Sequence, residues 1–232
     1  MTYCSRGYED AYRWVLPSWR RKEIGKIIVV SDFQIDDPMD GRVEWINSQE
    51  PCEEYYTNNS RRPGVVRKYM PDGLVAFFDL DCWIRGDITP AFGAPDTISV
   101  TRFWSRENHT GGTITSGTWY ANVGPGVRRF VEGWDELTEK MRRTRKNWHT
   151  NPRHTTAQQY TFTSMCHTAF RTGEPCHINT IPEQIYNCEH SSPEALAIKA
   201  RQNRPAVVHF KGRTFRDAKH VAHILKCAEG KA

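Results

Sequence analysis

The sequence predicts an α/β fold with a mostly parallel sheet sandwiched by helices, on three observations. Two short runs, Ile27-Ile28-Val29-Val30 and Pro205-Ala206-Val207-Val208-His209-Phe210, are apolar enough for strands buried on both faces, as parallel strands are. Helical patterns alternate with strand-like runs along the chain, without internal repeat or low-complexity segment. Polar residues gather at the ends of the apolar runs, where a layered sheet leaves its strand ends open.

A short first strand is read at residues 2–5. Tyr8, Ala11, Tyr12, Val15 and Trp19 then follow helical spacing, and Pro17 is expected to kink or end that helix. The 27–30 run completes a β-α-β unit. Residues 33–64 are polar. Asp36-Asp37-Pro38, Asn58-Asn59-Ser60 and Arg61-Arg62-Pro63-Gly64 are turn or loop signals, so no element is placed there. Leu74 to Leu80 reads as a strand, 98–101 as another, and Thr113 to Asn122 as a third that ends at Gly124-Pro125-Gly126.

Val127 to Lys146 reads as a helix with acids first (Glu132, Asp135, Glu136) and bases last, which suits its dipole. A second helix starts near Thr156, with Phe162, Met165, Cys166 and Ala169 as its buried stripe and Gly173 after its end. Ser192-Pro193-Glu194 opens a third with a capping serine and a first-turn proline, and Asp217 to Lys226 forms the last.

The 232 residues suffice for a single domain with a buried core. With 25% charged and 38% hydrophobic residues, chain-wide disorder is excluded. A net charge of +5 suits phosphorylated ligands without demanding nucleic acid. The seven cysteines are odd in number and irregular in spacing, which points to reduced thiols rather than a disulfide framework. Cys166-His167, Cys176-His177, Cys188 and His190 supply zinc-ligand types but lack close Cys-x-x-Cys pairs. No apolar run reaches the ~20 residues of a membrane span, and Met1-Thr2-Tyr3-Cys4 begins no signal peptide. A cytoplasmic location is expected.

The most telling stretch is Ala76-Phe77-Phe78-Asp79-Leu80-Asp81-Cys82-Trp83-Ile84-Arg85-Gly86-Asp87-Ile88. An apolar strand delivers two carboxylates one residue apart, and strand geometry puts Asp79 and Asp81 on one side. Two anions so close repel, and a divalent cation relieves them. Mn²⁺ or Mg²⁺ so held can bridge carboxylate and diphosphate. The plain alternative is a strand end with two solvated acids.

This segment, continued by Thr89-Pro90-Ala91-Phe92, resembles the Asp-x-Asp segment of nucleotide-sugar glycosyltransferases of the GT-A fold. Val208-His209-Phe210-Lys211-Gly212-Arg213 resembles the His-Phe-x-Gly segment of their glycogenin and bacterial galactosyltransferase-like branch. Between them, Ser116-Gly117-Thr118-Trp119-Tyr120-Ala121-Asn122 is similar to the glycine-bearing strand that faces the donor sugar. The order and spacing of the three agree with that branch, and together they span most of the chain.

The resemblance implies a Rossmann-like domain over 1–232, with a nucleotide-binding half (1–95) and an acceptor half (96–232) that carries the C-terminal metal and diphosphate segment. It implies metal-dependent transfer of a sugar from a nucleoside diphosphate sugar, with UDP expected, to an acceptor that the sequence does not name. Asp79, Asp81 and His209 are the implied metal ligands, for Mn²⁺ or Mg²⁺, and Asp79 can instead hold the ribose. Lys211, Gly212 and Arg213 are placed at the diphosphate, Ser116 and Gly117 at the donor, and Tyr3, Ser5 and Asp32 at base and ribose. Trp104, Trp119 and Tyr120 are available to stack on a sugar ring.

Two departures stand out. The branch carries a lysine six residues after the histidine, where this chain has Phe215, and it has an Asp-Gln pair where this chain has Ala157-Gln158-Gln159. An amide is no general base. Gln159 is therefore the candidate that positions the donor or steadies the reacting carbon, with retention of configuration expected. Thr156-x-x-Gln159 equally fits a capping box.

His209 alone would read as a core histidine at a strand end; the acid pair and the Lys-Gly-Arg tail change that reading. Two rivals share the residues. Phe78-Asp79-Leu80-Asp81 also resembles the first motif of haloacid-dehalogenase-type phosphatases, with Asp79 as nucleophile. That class needs a small residue and a Thr or Val next, and a later acid pair; here Cys82-Trp83-Ile84 follows and no such pair does. Arg128, Arg129 and the basic 140–146 segment beside Trp134, Trp148 and His149 suggest nucleic-acid binding, or a solvated helix face. A transferase acting on modified DNA would use such a patch, whereas one acting on a glycan would not. The resemblance implies a bacterial, viral or phage enzyme, in a bacterial or virus/phage-infected host cytosol.

Overall fold

The computed structural model describes residues 1–4, 9–20, 24–31, 41–48, 55–103, 113–144, 157–190, 192–210 and 218–231. Strands β1 (Thr2–Cys4), β2 (Ile27–Ser31) and β3 (Val43–Asn47) form a parallel sheet in that order. The middle strand β2 is buried along its whole length, as its apolar sequence demands. Helix α1 (Glu9–Trp19) crosses between β1 and β2 and keeps Pro17 inside it, where a kink or stop was expected. Its last turn is held from outside: Val15, Leu16 and Trp19 are buried, and the Trp19 indole donates to the Cys82 carbonyl (2.8 Å).

The polar 33–64 region contains two elements that its turn signals hide. One is β3; the other is helix α2 (Tyr55–Tyr69), which takes in both Asn58-Asn59-Ser60 and Arg61-Arg62-Pro63-Gly64. Val66 of α2 and Met70 just past it join an apolar core with Val75 and Phe77, and that burial overrides weak local propensity.

A second sheet runs β4-β7-β6-β8, from β4 (Gly73–Phe78), β7 (Thr113–Val123), β6 (Thr97–Phe103) and β8 (His177–Ile181). Strand β7 is antiparallel to both neighbours, and β8 is parallel to β6. A third, β5-β10-β9, joins β5 (Cys82–Ile84), β10 (Val207–His209) and β9 (Cys188–Glu189), with β10 antiparallel to β5 and parallel to β9. The α/β class is as predicted, and beyond the first sheet the pairing is mixed.

Strand β7 is the spine. Trp119 packs into a core with Phe77, Trp134 and Phe162, whereas Tyr120 packs on the other face against Phe78, Phe92 and Tyr186. Both are fully buried, so the expectation that they stack on a sugar is corrected. A strand covered on both faces has no exposed parity. Trp104 lies outside the described residues.

Helices α3 (Pro125–Thr144) and α4 (Ala157–Thr172) supply the Trp119 core with Phe130, Trp134 and Phe162. Asp96 caps α3 across the chain: its carboxylate accepts from the Gly126 (2.9 Å) and Val127 (2.7 Å) amides at the positive end of the helix. A short α5 (Glu183–Tyr186) follows β8. Helices α6 (Pro193–Asn203) and α7 (Ala218–Glu229) enclose β10 through Leu196, Ala200, Val208 and Ile224. Ser192 caps α6 as predicted, accepting from the Ala195 amide (3.3 Å).

Candidate active site

The acid pair lies just past a strand rather than on one. Strand β4 ends at Phe78, and Asp79-Leu80-Asp81 turns into β5, the Cys82 amide donating back to the Asp79 carbonyl (3.1 Å). The pleat therefore does not align the two carboxylates; backbone anchors do. The Asp79 amide donates to the Gly117 carbonyl on β7 (2.7 Å), and the Phe210 amide, just past β10, donates to the Asp81 carbonyl (2.8 Å). Each acid is thus tied to the strand that carries its partner.

On β10, His209 sits opposite Cys82 of β5. Its Nε2 is 3.0 Å from Asp81 Oδ1, and Asp81, Cys82 and His209 present ligand atoms within 4.8 Å of one another. The other ring nitrogen, Nδ1, is 2.8 Å from Asn187 Oδ1 and 3.1 Å from Glu189 Oε2. Burial by itself would lower the His209 pKa; the facing Asp81 and Glu189 carboxylates outweigh it and push the pKa up to about 10.

A cation fits this arrangement. Asp81 Oδ1 is buried, and apart from the 3.0 Å approach of His209 Nε2 it has no hydrogen-bond partner among the described residues. An acceptor left over beside an imidazole nitrogen is a donor set for Mn²⁺ or Mg²⁺. Cys82 is a poor third ligand. Burial first, then the Asp81 and Asp79 charges, push its thiol well above the usual range, and its Sγ is 3.4 Å from Thr118 Oγ1.

Asp79 is held by a residue that the sequence reading passed over as a turn signal. Arg62, on α2, places Nη2 2.7 Å from Asp79 Oδ1 with little solvent access, and its guanidinium lies over the Phe77 ring (5.4 Å). Gly117 makes room for this pair. A Cβ there would collide with the Asp79 carboxylate and lie 3.5 Å from His209 Cε1.

Gln159 and Ser116 also meet. The Ser116 amide and hydroxyl both donate to Gln159 Oε1 (2.8 Å each), and Gln159 Nε2 donates to Thr163 Oγ1 (3.1 Å) and to the Ile114 carbonyl. Its amide thereby ties the start of α4 to β7, a positioning geometry. Tyr3 packs with Ile28 and Val30 and lines a cavity of about 220 Å³ whose other walls include Arg61, Lys68 and Ser48. Arg61 faces this cavity while the next residue holds Asp79, so α2 spans from the cavity to the acid pair.

Ser5, Asp32, Lys211, Gly212 and Arg213 lie outside the described residues, as do Tyr8, Thr156 and Phe215. Arg62, Asn187 and Glu189 were missed. Asn187 and Glu189 flank Cys188 at strand spacing, but β9 is only two residues long and gives no legible pattern.

The rival sites look different in three dimensions. Cys166, Cys176 and Cys188 are buried thiols, and the Asp81 cluster is the metal-ligand group found among the described residues. On α3, Arg142 and Arg143 pair with Glu139 (3.2 and 3.8 Å), and Arg128 pairs with Asp72 (2.5 Å). That is a solvated, ion-paired face, the plainer of the two readings of those bases; residues 145–149 lie outside the described set.

No family model and no curated protein matches the sequence. Solved structures do. The galactosyltransferase LgtC, solved with donor and acceptor sugar analogues, superposes at a TM-score of 0.55, with 13% identity over 98% of this chain and 94% of that one. A glycosyltransferase involved in glycosylating the major capsid of PBCV-1 gives 0.51 at 13% identity, over 97% and 98%. The fold is that of the GT-A glycosyltransferases. GlyE of Streptococcus pneumoniae TIGR4 has the same fold (TM-score 0.56, 12% identity), and there 98% of this chain covers 59% of the longer protein. No helix among the described residues is long and apolar enough to cross a membrane.

Proposed function

We infer that this GT-A domain is a metal-dependent glycosyltransferase that moves a sugar from a nucleoside diphosphate sugar, with UDP as the nucleotide, to a glycan or another hydroxyl-bearing acceptor. The observation that carries the reading is the buried Asp81 oxygen, whose one neighbour among the described ligand-type side-chain nitrogens is His209 Nε2 at 3.0 Å, beside an Arg62-held Asp79. A divalent cation held by Asp81 and His209 would neutralise the diphosphate as the sugar departs.

The chain's own residues do the rest. Arg62 fixes the Asp79 carboxylate for cation or ribose, and Gly117 lets the sugar side of β7 approach both. The cavity beside Tyr3 is where we place the nucleoside, and Lys211, Gly212 and Arg213, past β10, are assigned to the diphosphate. Gln159 cannot act as a base; locked to Ser116, it sets the strand that faces the donor. Retention of configuration is carried over from the resemblance alone, with Gln159 not serving as the nucleophile. The phosphatase alternative needs Asp79 as a free nucleophile, and Arg62 holds that carboxylate.

The test is a panel of nucleotide sugars, scored for nucleotide release with and without Mn²⁺. One donor should turn over only with the ion, and Asp81→Asn should cut that turnover by about 100-fold or more, the scale of losing an electrostatic stabiliser of a departing group. Equal turnover in EDTA, or an undiminished Asp81→Asn enzyme, would refute the reading.

A further inference from the structure

The buried groups behind His209 have no part in the mechanism so far. Glu189 is fully buried, as is Asn187, and a carboxylate hidden from water is costly unless it is paired. Their hydrogen bonds are ordered by one constraint. The Asn187 amide nitrogen donates to Glu189 Oε2 (3.3 Å) and to Thr101 Oγ1 (3.3 Å). Turning that amide over would set its oxygen against the Glu189 carboxylate, so Asn187 Oδ1 must face the imidazole. His209 Nδ1 then meets only acceptors, Asn187 Oδ1 at 2.8 Å and Glu189 Oε2 at 3.1 Å. The proton of the neutral ring belongs on Nδ1, and the Nε2 lone pair is aimed at Asp81.

We propose that Glu189, with Asn187, is a positioning residue for the metal site: it fixes the His209 ring and tautomer so that Nε2 offers its lone pair beside Asp81, and its buried charge strengthens the hold on a divalent cation. This rests on the metal-dependent reading of the site above. With a cation held by His209 Nε2, the arrangement would be a carboxylate–histidine–metal relay. Thr101, on β6, and β9 thereby join the site, which links the second sheet to the third.

The test is Mn²⁺ binding by the full chain without donor, measured by electron paramagnetic resonance of the free ion, in the wild type, Asp81→Asn and Glu189→Gln. Glutamine keeps the shape and removes the charge. The Glu189→Gln protein, folded by circular dichroism, should bind Mn²⁺ about 10–100-fold more weakly, and its bound ion should show a weakened or lost imidazole ¹⁴N coupling. A merely structural Glu189 would lower the melting temperature and leave both readouts alone, and Mn²⁺ affinity within about twofold of wild type would overturn the proposal.

Should Glu189→Gln fail to fold, the wild type decides. Its bound Mn²⁺ must see one imidazole nitrogen, with an exchangeable proton on the remote ring nitrogen; a ring bound through Nδ1, or one lacking that proton, overturns the proposal. Wild-type protein that binds no Mn²⁺, or an Asp81→Asn protein that binds it equally well, sinks the metal reading itself and this inference with it. Wild-type binding that is lost in Asp81→Asn but kept in Glu189→Gln sinks only the inference.

Discussion

At the scale of single residues, the site depends on an atom that is missing. Gly117 has no Cβ, and the space it leaves is filled by the Asp79 carboxylate on one side and bordered by the His209 ring on the other. Asp79 cannot simply swing away, because Arg62 holds its other oxygen. Gly117→Ala should therefore displace the acid pair while the strand, with ordinary backbone at that position, still forms. We expect about a 100-fold fall in turnover, the cost of a displacement near 1 Å in a reacting geometry, with little change in urea midpoint. An alanine variant with wild-type turnover would show that the Asp79 carboxylate has no part in the reaction. Asp79, Asp81, Gly117 and His209, which the fold brings together, were named as candidates from the sequence because each sits in a motif anchored to an apolar strand. Arg62 and Glu189 were not. Arg62 stands in a run that local chemistry marks as a turn, and Glu189 on a two-residue strand that has no periodicity to read.

Among elements, the join between α4 and β7 deserves its own test, since two roles meet in Gln159. The amide accepts two hydrogen bonds from Ser116 and donates to Ile114 and Thr163. Gln159→Ala strands the Ser116 amide in a part-buried place, at a cost of about 1–3 kcal/mol in unfolding free energy, while the Ile114 carbonyl keeps the Thr163 hydroxyl (3.0 Å). If positioning is its role, the loss should appear in the denaturation midpoint and in turnover together. A fall in turnover at unchanged stability would instead put Gln159 in contact with the sugar. Elements with strong internal patterns were readable: β2, β4, β7, α3 and α4 lie within a few residues of where apolar spacing places them. The failures share a cause. At α2 and at Pro17 of α1, local signals argued against helix, and burial of Val66, Met70, Leu16 and Trp19 outweighed them. For Trp119 and Tyr120 the error ran the other way. Aromatic side chains that suit a sugar also suit a core, and only the layers on both faces of β7 decide between the two.

On the scale of the whole molecule, the site is where separate sheets meet. Asp81 lies between β4 of the second sheet and β5 of the third, His209 closes β10, and Thr101 of β6 reaches the same network through Asn187. In sequence Asp81, Thr101 and His209 are far apart, so the contacts that join the sheets at the site are long-range, and a cation on Asp81 and His209 would be a clasp across them. An ion that binds the folded chain and not the unfolded one stabilises it by mass action, by about 2.7 kcal/mol at 100 times its dissociation constant. For a chain of this size each kcal/mol moves the melting temperature by about 2–4 °C, so saturating Mn²⁺ should raise it by about 5–10 °C. EDTA should reverse the rise, and Asp81→Asn should not show it. A rise of equal size in Asp81→Asn would place the stabilising ion elsewhere, whereas no rise in the wild type would mean that these sheets are held together without a clasp and that the Asp81–His209 gap serves some purpose other than holding a metal.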